Sequence, residues 1–160
     1  MPSHSKDSEI DLMLQLLSEA YEKKTWHGPN LRQSIRGVSA PGAAWRPASG
    51  RHNIWELTLH AAYWKYAVRR RLLGLPQGSF ALRGSNFFAM PEPHADAEWR
   101  GARQLLNDEH RKLMAAVFDP RNSRVVKNQL RMIFGVAYHD IYHAGQIRLL
   151  RRLQETRSPR

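Results

Sequence analysis

YHDIYHAGQIRLL, Tyr138 to Leu150, sets two histidines four residues apart in a stretch whose other inward positions are apolar. Extended backward in the same register, the stripe is Met132, Val136, His139, His143, Ile147 and Leu150. Each step is three or four residues, so all six side chains share one face of a helix. Imidazoles on such a face point into the core, where their ring nitrogens need partners. A tyrosine, a carboxylate or a backbone carbonyl is the ordinary partner of a single core histidine. Two on adjacent turns have another option, because i, i+4 spacing lets both rings reach one metal ion. A closed structural site would ask for four ligands, and a catalytic one for three plus an open position.

A third ligand is offered by WELTLHAAYW, Trp55 to Trp64, in which His60 lies between Leu57 and Trp64 on a face that also reads inward. One histidine from one helix and a pair from another make a workable triad in a bundle core. The chain has no cysteine, so disulfides and thiolate ligands are excluded and any metal must be held by His, Asp or Glu. Three neutral imidazoles suit zinc, nickel, iron or copper and poorly suit magnesium or calcium; zinc is favoured.

The remaining sequence supplies helices to carry these residues. Ile10, Met13, Leu14, Leu17 and Tyr21 keep helical spacing after a cap at Ser8, and this first helix should run to about Lys24. Gly28-Pro29 breaks it, and Leu31, Ile35 and Val38 suggest a short helical piece beyond. Residues 39–52 read as loop. Asn53 with Glu56 forms a capping box that opens a helix ending at Gly74. Residues 75–94, rich in Gly, Pro and Ser, make a long loop of a kind that often serves a site. A third long helix should run from about Asp96 to Asp119-Pro120, and a fourth from about Arg124 to Glu155. With 160 residues and no strand alternation, the expectation is one all-α domain, a four-helix bundle with long connecting loops and a core spanning about 8–155.

Three segments in order, WHGPNLRQSIRG (26–37), RHNIWELTLHAAYW (51–64) and YHDIYHAGQIRLLRR (138–152), resemble the DinB superfamily of DinB/YfiT-like bundles. The resemblance implies a four-helix bundle with an up-up-down-down-like crossover, often homodimeric. It implies a divalent metal held by one histidine of the second helix and two of the fourth, positions that carry over to His60, His139 and His143. Characterised relatives include transferases and isomerases that depend on a low-molecular-weight thiol. The resemblance therefore implies a metal-dependent enzyme in which such a thiol attacks a small electrophile. A non-enzymatic stress-response or binding protein with a structural metal stays open beside it.

A hydrolase is the rival chemistry, since HDIYH echoes the H-E-x-x-H metalloprotease helix. Asp140 stands there where the base would be, but one methylene shorter and without a protease-like third ligand downstream. Asp140 then reads as a partner of a ligand or as a solvated carboxylate. Two residues are weak catalytic candidates: His27 at the helix break, and Gln146, three residues past His143. Glu56 is accounted for by its capping role. His110, on the stripe Leu106, His110, Leu113, Val117, should make a core hydrogen bond, and His4, His52 and His94 should be solvated.

The formal charge of +11 raises nucleic acid as a partner. Yet the arginines gather where helices end, Arg69 to Arg71 and Arg148, Arg151 and Arg152, where cations offset the helix dipole. A small-molecule substrate is expected rather than nucleic acid. No apolar run approaches the roughly 20 residues of a membrane helix, and the first thirty residues lack a signal-peptide apolar block. A cytoplasmic protein is the expectation.

Overall fold

The computed structural model describes residues 8–156, and among them there are helices and loops but no strand. The helices are α1 (Ser8–Tyr21), α2 (Leu31–Ile35), α3 (Ala40–Ala44), α4 (Ile54–Leu72), α5 (Asp96–Phe118), α6 (Ser123–Asn128) and α7 (Leu130–Glu155). A 3-10 turn, Pro120–Asn122, joins α5 to α6. The four longest helices close a ring of contacts: α4 packs on α5 and α7, and α1 packs on the same two. No helix among the described residues is long and apolar enough to cross a membrane.

Local chemistry explains most boundaries. The Asn53 side chain accepts from the Glu56 N–H while the Glu56 carboxylate accepts from the Asn53 N–H, so α4 starts where the capping box requires. It ends at Leu72, before Gly74 with its φ of +63°. Helix α1 stops at Tyr21, three residues short of expectation. The carbonyl of Ser18 accepts from both Glu22 and Lys23, and the Lys23 carbonyl is taken by the Asn30 amide at 2.6 Å. Asn30 also forms a second capping box with Gln33 that starts α2. In the stretch expected to be loop, Ser39 caps the short helix α3, with Pro41 in its first turn.

The expected fourth helix is divided. Gln129, at φ −119° and ψ 29°, leaves helical geometry and separates α6 from α7. No proline or glycine marks the break. It lets Val126 and Ile133 both reach the same core cluster, where each is fully buried.

That cluster joins α1, α6 and the start of α7 to the C-terminal halves of α4 and α5. A second one joins α2 and α3 to the N-terminal halves of α4 and α5 and to the end of α7. In α4, α5 and α7 buried polar residues stand between the two sets: Lys65 in α4, Glu109 and His110 in α5, Asp140 and His143 in α7. Lys65 is wholly buried and donates to the Asp140 carboxylate, with its Nζ 4.9 Å from the Tyr21 ring centre. Asp140 is thus neither solvated nor paired with a histidine. The buried face of α7 runs through Ile133, Val136, Ala137, Asp140, His143, Ala144, Ile147 and Leu150, which leaves Met132 half-buried and His139 on its flank.

His110 does not make its expected hydrogen bond. Its ring stacks on Tyr21 with centroids 4.0 Å apart, and neither nitrogen has a partner among the described residues. The nearest carboxylate oxygen, on Glu22, is 3.9 Å away. Burial, then the charges of Lys65 and Arg32, push the imidazole pKa down to about 2. Unfolded, it titrates near 6.5, so acid below that pH protonates only the unfolded chain. Stability then falls with falling pH by up to about 1.4 kcal/mol per unit from this ring. His110→Leu is expected to raise stability by about 1–3 kcal/mol at pH 7, because an unsatisfied buried polar group is removed. The gain should be larger at pH 5. Urea unfolding at both pH values checks this, and a variant no more stable than wild type at either would refute it.

Candidate metal centre

The register of α4, set by its capping box, places Leu57, His60 and Trp64 on one side of the helix. The flank of α7 places His139, Tyr142, His143 and Gln146 opposite them, and all seven residues line one open cavity of about 860 Å³. The ligand-capable nitrogens of His60, His139 and His143 lie within 4.8 Å of one another. His139 Nε2 is 3.0 Å from His60 Nε2 and 3.0 Å from His143 Nε2. Nitrogens around a tetrahedral ion with bonds of about 2.0–2.1 Å stand roughly 3.3–3.4 Å apart. The two spacings to His139 fall slightly below that, and the third, from His60 to His143, lies within 4.8 Å.

Proton placement sharpens the point. His60 Nδ1 is 2.9 Å from the Asn86 carbonyl, which can only accept, so Nδ1 carries the proton and Nε2 a bare lone pair. His143 Nδ1 is 2.6 Å from Gln146 Oε1, with the same consequence for its Nε2. Both lone pairs face His139 Nε2, which holds at most one proton and can satisfy only one of them. Without a cation, one pair of nitrogens meets lone pair to lone pair; a cation would satisfy all three. Such an ion fits the donor set.

Electrostatics keeps the rings available. Burial is the first cause of a depressed pKa in each: to about 4 in His60, to about 3 in His139, and downward in His143. The positive forms of neighbouring rings add to the depression, against the Asn86 bond in His60 and the Gln146 bond in His143. Neutral imidazole is the form that binds metal.

The long loop between α4 and α5 supplies the rest of the wall. Asn86, at φ +67°, turns its carbonyl to His60, and its side chain accepts from the Trp64 indole N–H at 3.1 Å. Phe87 stacks on His60 at 4.0 Å and on its other face carries His52 at 3.7 Å. His52, expected to be merely solvated, is a half-exposed lining residue whose Nδ1 is 3.0 Å from Glu56. Burial raises the Glu56 carboxyl, but its bonds to Arg46 and His52 outweigh this and hold it below the usual carboxylate range. Beyond capping α4, Glu56 therefore orients His52. Arg51 also lines the cavity.

Of the two weak catalytic candidates, Gln146 lines the cavity, accepts from His143 Nδ1 and donates to the Tyr142 hydroxyl at 3.2 Å. His27 is exposed in the loop after α1 and does not line the cavity. His139 Nδ1 is buried without a partner among the described residues, so the hydrogen bonds that align the triad are those of Asn86 to His60 and Gln146 to His143. If the site holds a metal, Gln146→Leu is expected to weaken it by about 10- to 100-fold while the fold is retained. Competition with a chromophoric chelator measures that loss, and unchanged affinity would show that the Gln146 bond is incidental.

An all-helical chain with three inward imidazoles converging on an open cavity defines a class of helical protein with a metal-competent histidine centre. The family model described as the DinB superfamily matches residues 25–147, and the chain belongs to that superfamily. No curated protein and no solved structure matches it.

Proposed function

We propose that this protein binds a divalent transition metal, zinc before nickel or iron, through His60, His139 and His143, and that it is an enzyme joining a low-molecular-weight thiol to a small electrophile. The observation that supports it is the pair of bare Nε2 lone pairs, on His60 and His143, that meet at His139 Nε2. When bound, an ion held by three neutral ligands keeps its full charge and lowers the pKa of a thiol at its open position.

The chain's own residues would do the remainder. Trp64 and Phe87 shield the site from water and pack the apolar part of a substrate, while Arg51 offers a cation to an anionic group at the same cavity. His52 is the proton carrier in this reading: Nδ1 is tied to Glu56, and Nε2, on the far side of the Phe87 ring from His60, receives the proton through an intervening water. The thiol proton passes to His52 Nε2, and the sulfur electron pair forms the new S–C bond. The electrophilic carbon yields an electron pair to its leaving group, which takes the proton back.

The test is conjugation of an electrophile with glutathione, bacillithiol or mycothiol by zinc-, nickel- or iron-loaded protein. Turnover that His52→Gln lowers by about 100-fold, within the 10²–10⁴ range of general acid–base catalysis, with metal content unchanged, is the expected result. No turnover with any thiol would overturn the enzyme reading in favour of a metal-bearing binding protein. The homodimer implied by family resemblance belongs to the same reading, and a monomeric mass in sedimentation equilibrium would remove it.

A further inference from the structure

A second cavity, of about 590 Å³, lies where the end of α1, α2 and the first half of α5 meet, and shares no lining residue with the histidine cavity. Four arginines line it. Arg32 and Arg36 stand one turn apart along α2 and its C-cap, and Arg100 and Arg103 lie one turn apart on α5, followed on the same face by the amides of Gln104 and Asn107. Only one carboxylate is present, Glu22, 2.9 Å from Arg32. Among the described residues no ion pair holds Arg36, Arg100 or Arg103. Arg103 is fixed instead by stacking on Trp99, 5.7 Å from the ring centre, with its Nε buried and unpartnered.

Guanidinium groups gathered at one concave surface repel one another until an anion of several charges sits between them. Their planar forks match phosphate oxygens two at a time. The volume lies within the roughly 300–1,000 Å³ range of small-molecule sites. We propose that this cavity is a binding site for a small polyphosphate-bearing molecule, independent of the histidine centre. An extended nucleic-acid surface fits less well, because several arginines at the helix ends are engaged within the protein. Arg69 pairs with Glu109, Arg70 bonds the Leu75 carbonyl, Arg71 lies over Trp64, and Arg151 bonds the carbonyls of Ser34 and Arg36.

Calorimetric titration of the full chain with inorganic triphosphate, in metal-free buffer of low ionic strength, tests the site. One-to-one binding is expected. Arg36→Ala combined with Arg100→Ala should weaken it by at least about tenfold without lowering the melting temperature of the ligand-free protein. Arg100→Glu alone provides a second variant. Arg124→Ala, an exposed arginine that does not line the cavity, and His143→Ala should bind as wild type does. The proposal is overturned by absence of saturable binding, by equal loss in Arg124→Ala, or by loss in His143→Ala. Tighter binding of duplex DNA than of triphosphate at the same salt, weakened by the same arginine variants, would overturn it in favour of a nucleic-acid surface.

Discussion

His139→Ala is expected to reduce divalent-metal affinity by more than about 100-fold, a greater loss than the 10- to 100-fold typical of removing an outer partner. His139 Nε2 is the nitrogen that stands 3.0 Å from each of the other two. Its removal leaves His60 and His143 with lone pairs still aligned by Asn86 and Gln146 but with only two donors. The effect should be confined to the site, because His139 lies on the flank of α7 rather than at the centre of its buried face. Folding in the absence of metal should even gain in acid. The ring, held to about 3, stays neutral in the folded protein while its unfolded form takes up protons below pH 6.5. Equilibrium titration with zinc against a competing chelator reads the affinity. Wild-type-like affinity in this variant would mean that the metal, if bound, is held elsewhere.

Lys65→Met should lower stability by about 3–5 kcal/mol, since it leaves the Asp140 carboxylate buried and unpaired. Asp140 Oδ1 already lacks a partner among the described residues, and burial pushes the carboxyl up to about 6 even against the pull of Lys65. The double change Lys65→Met with Asp140→Leu is expected to recover most of the loss or to exceed wild type. Two apolar side chains of similar size would replace two ions whose desolvation offsets much of their attraction. Denaturant unfolding of the two single variants and the double variant measures the coupling. Additive losses would show that the ions do not act as a pair.

Legibility in the sequence tracked periodicity and caps. Helix α4 starts after Asn53 and stops before Gly74, and α5 stops before Asp119-Pro120, because those signals act within a few residues. The Asn30–Gln33 box and the Ser39 cap are equally local signals, and they start the short helices α2 and α3, of which α3 lies in the stretch expected to be loop. The division at Gln129 has no local signal, because it answers to the packing of Val126 and Ile133 in the core.

The site divides along the same line. His60, His139 and His143 are brought together by helix registers that spacing already announced. Asn86, Phe87 and His52 come from loops, which have no period to show where a side chain points. His27 sits at a loop bend that sequence marks but cannot aim, and it lies outside the cavity. Lys65 reads in isolation as a solvated charge. Its burial makes sense only with Asp140, 75 residues further along the chain.

Metal analysis of untagged protein, prepared without a metal column and then titrated with cobalt(II), decides whether His60, His139 and His143 hold an ion. One ion per chain is expected, with the intense visible bands of a four-coordinate, nitrogen-ligated cobalt centre, and both should be lost in His143→Ala. A wild-type protein that retains no ion and gives only the weak spectrum of hydrated cobalt would contradict the three-histidine assignment, as would a His143→Ala variant with unchanged metal content.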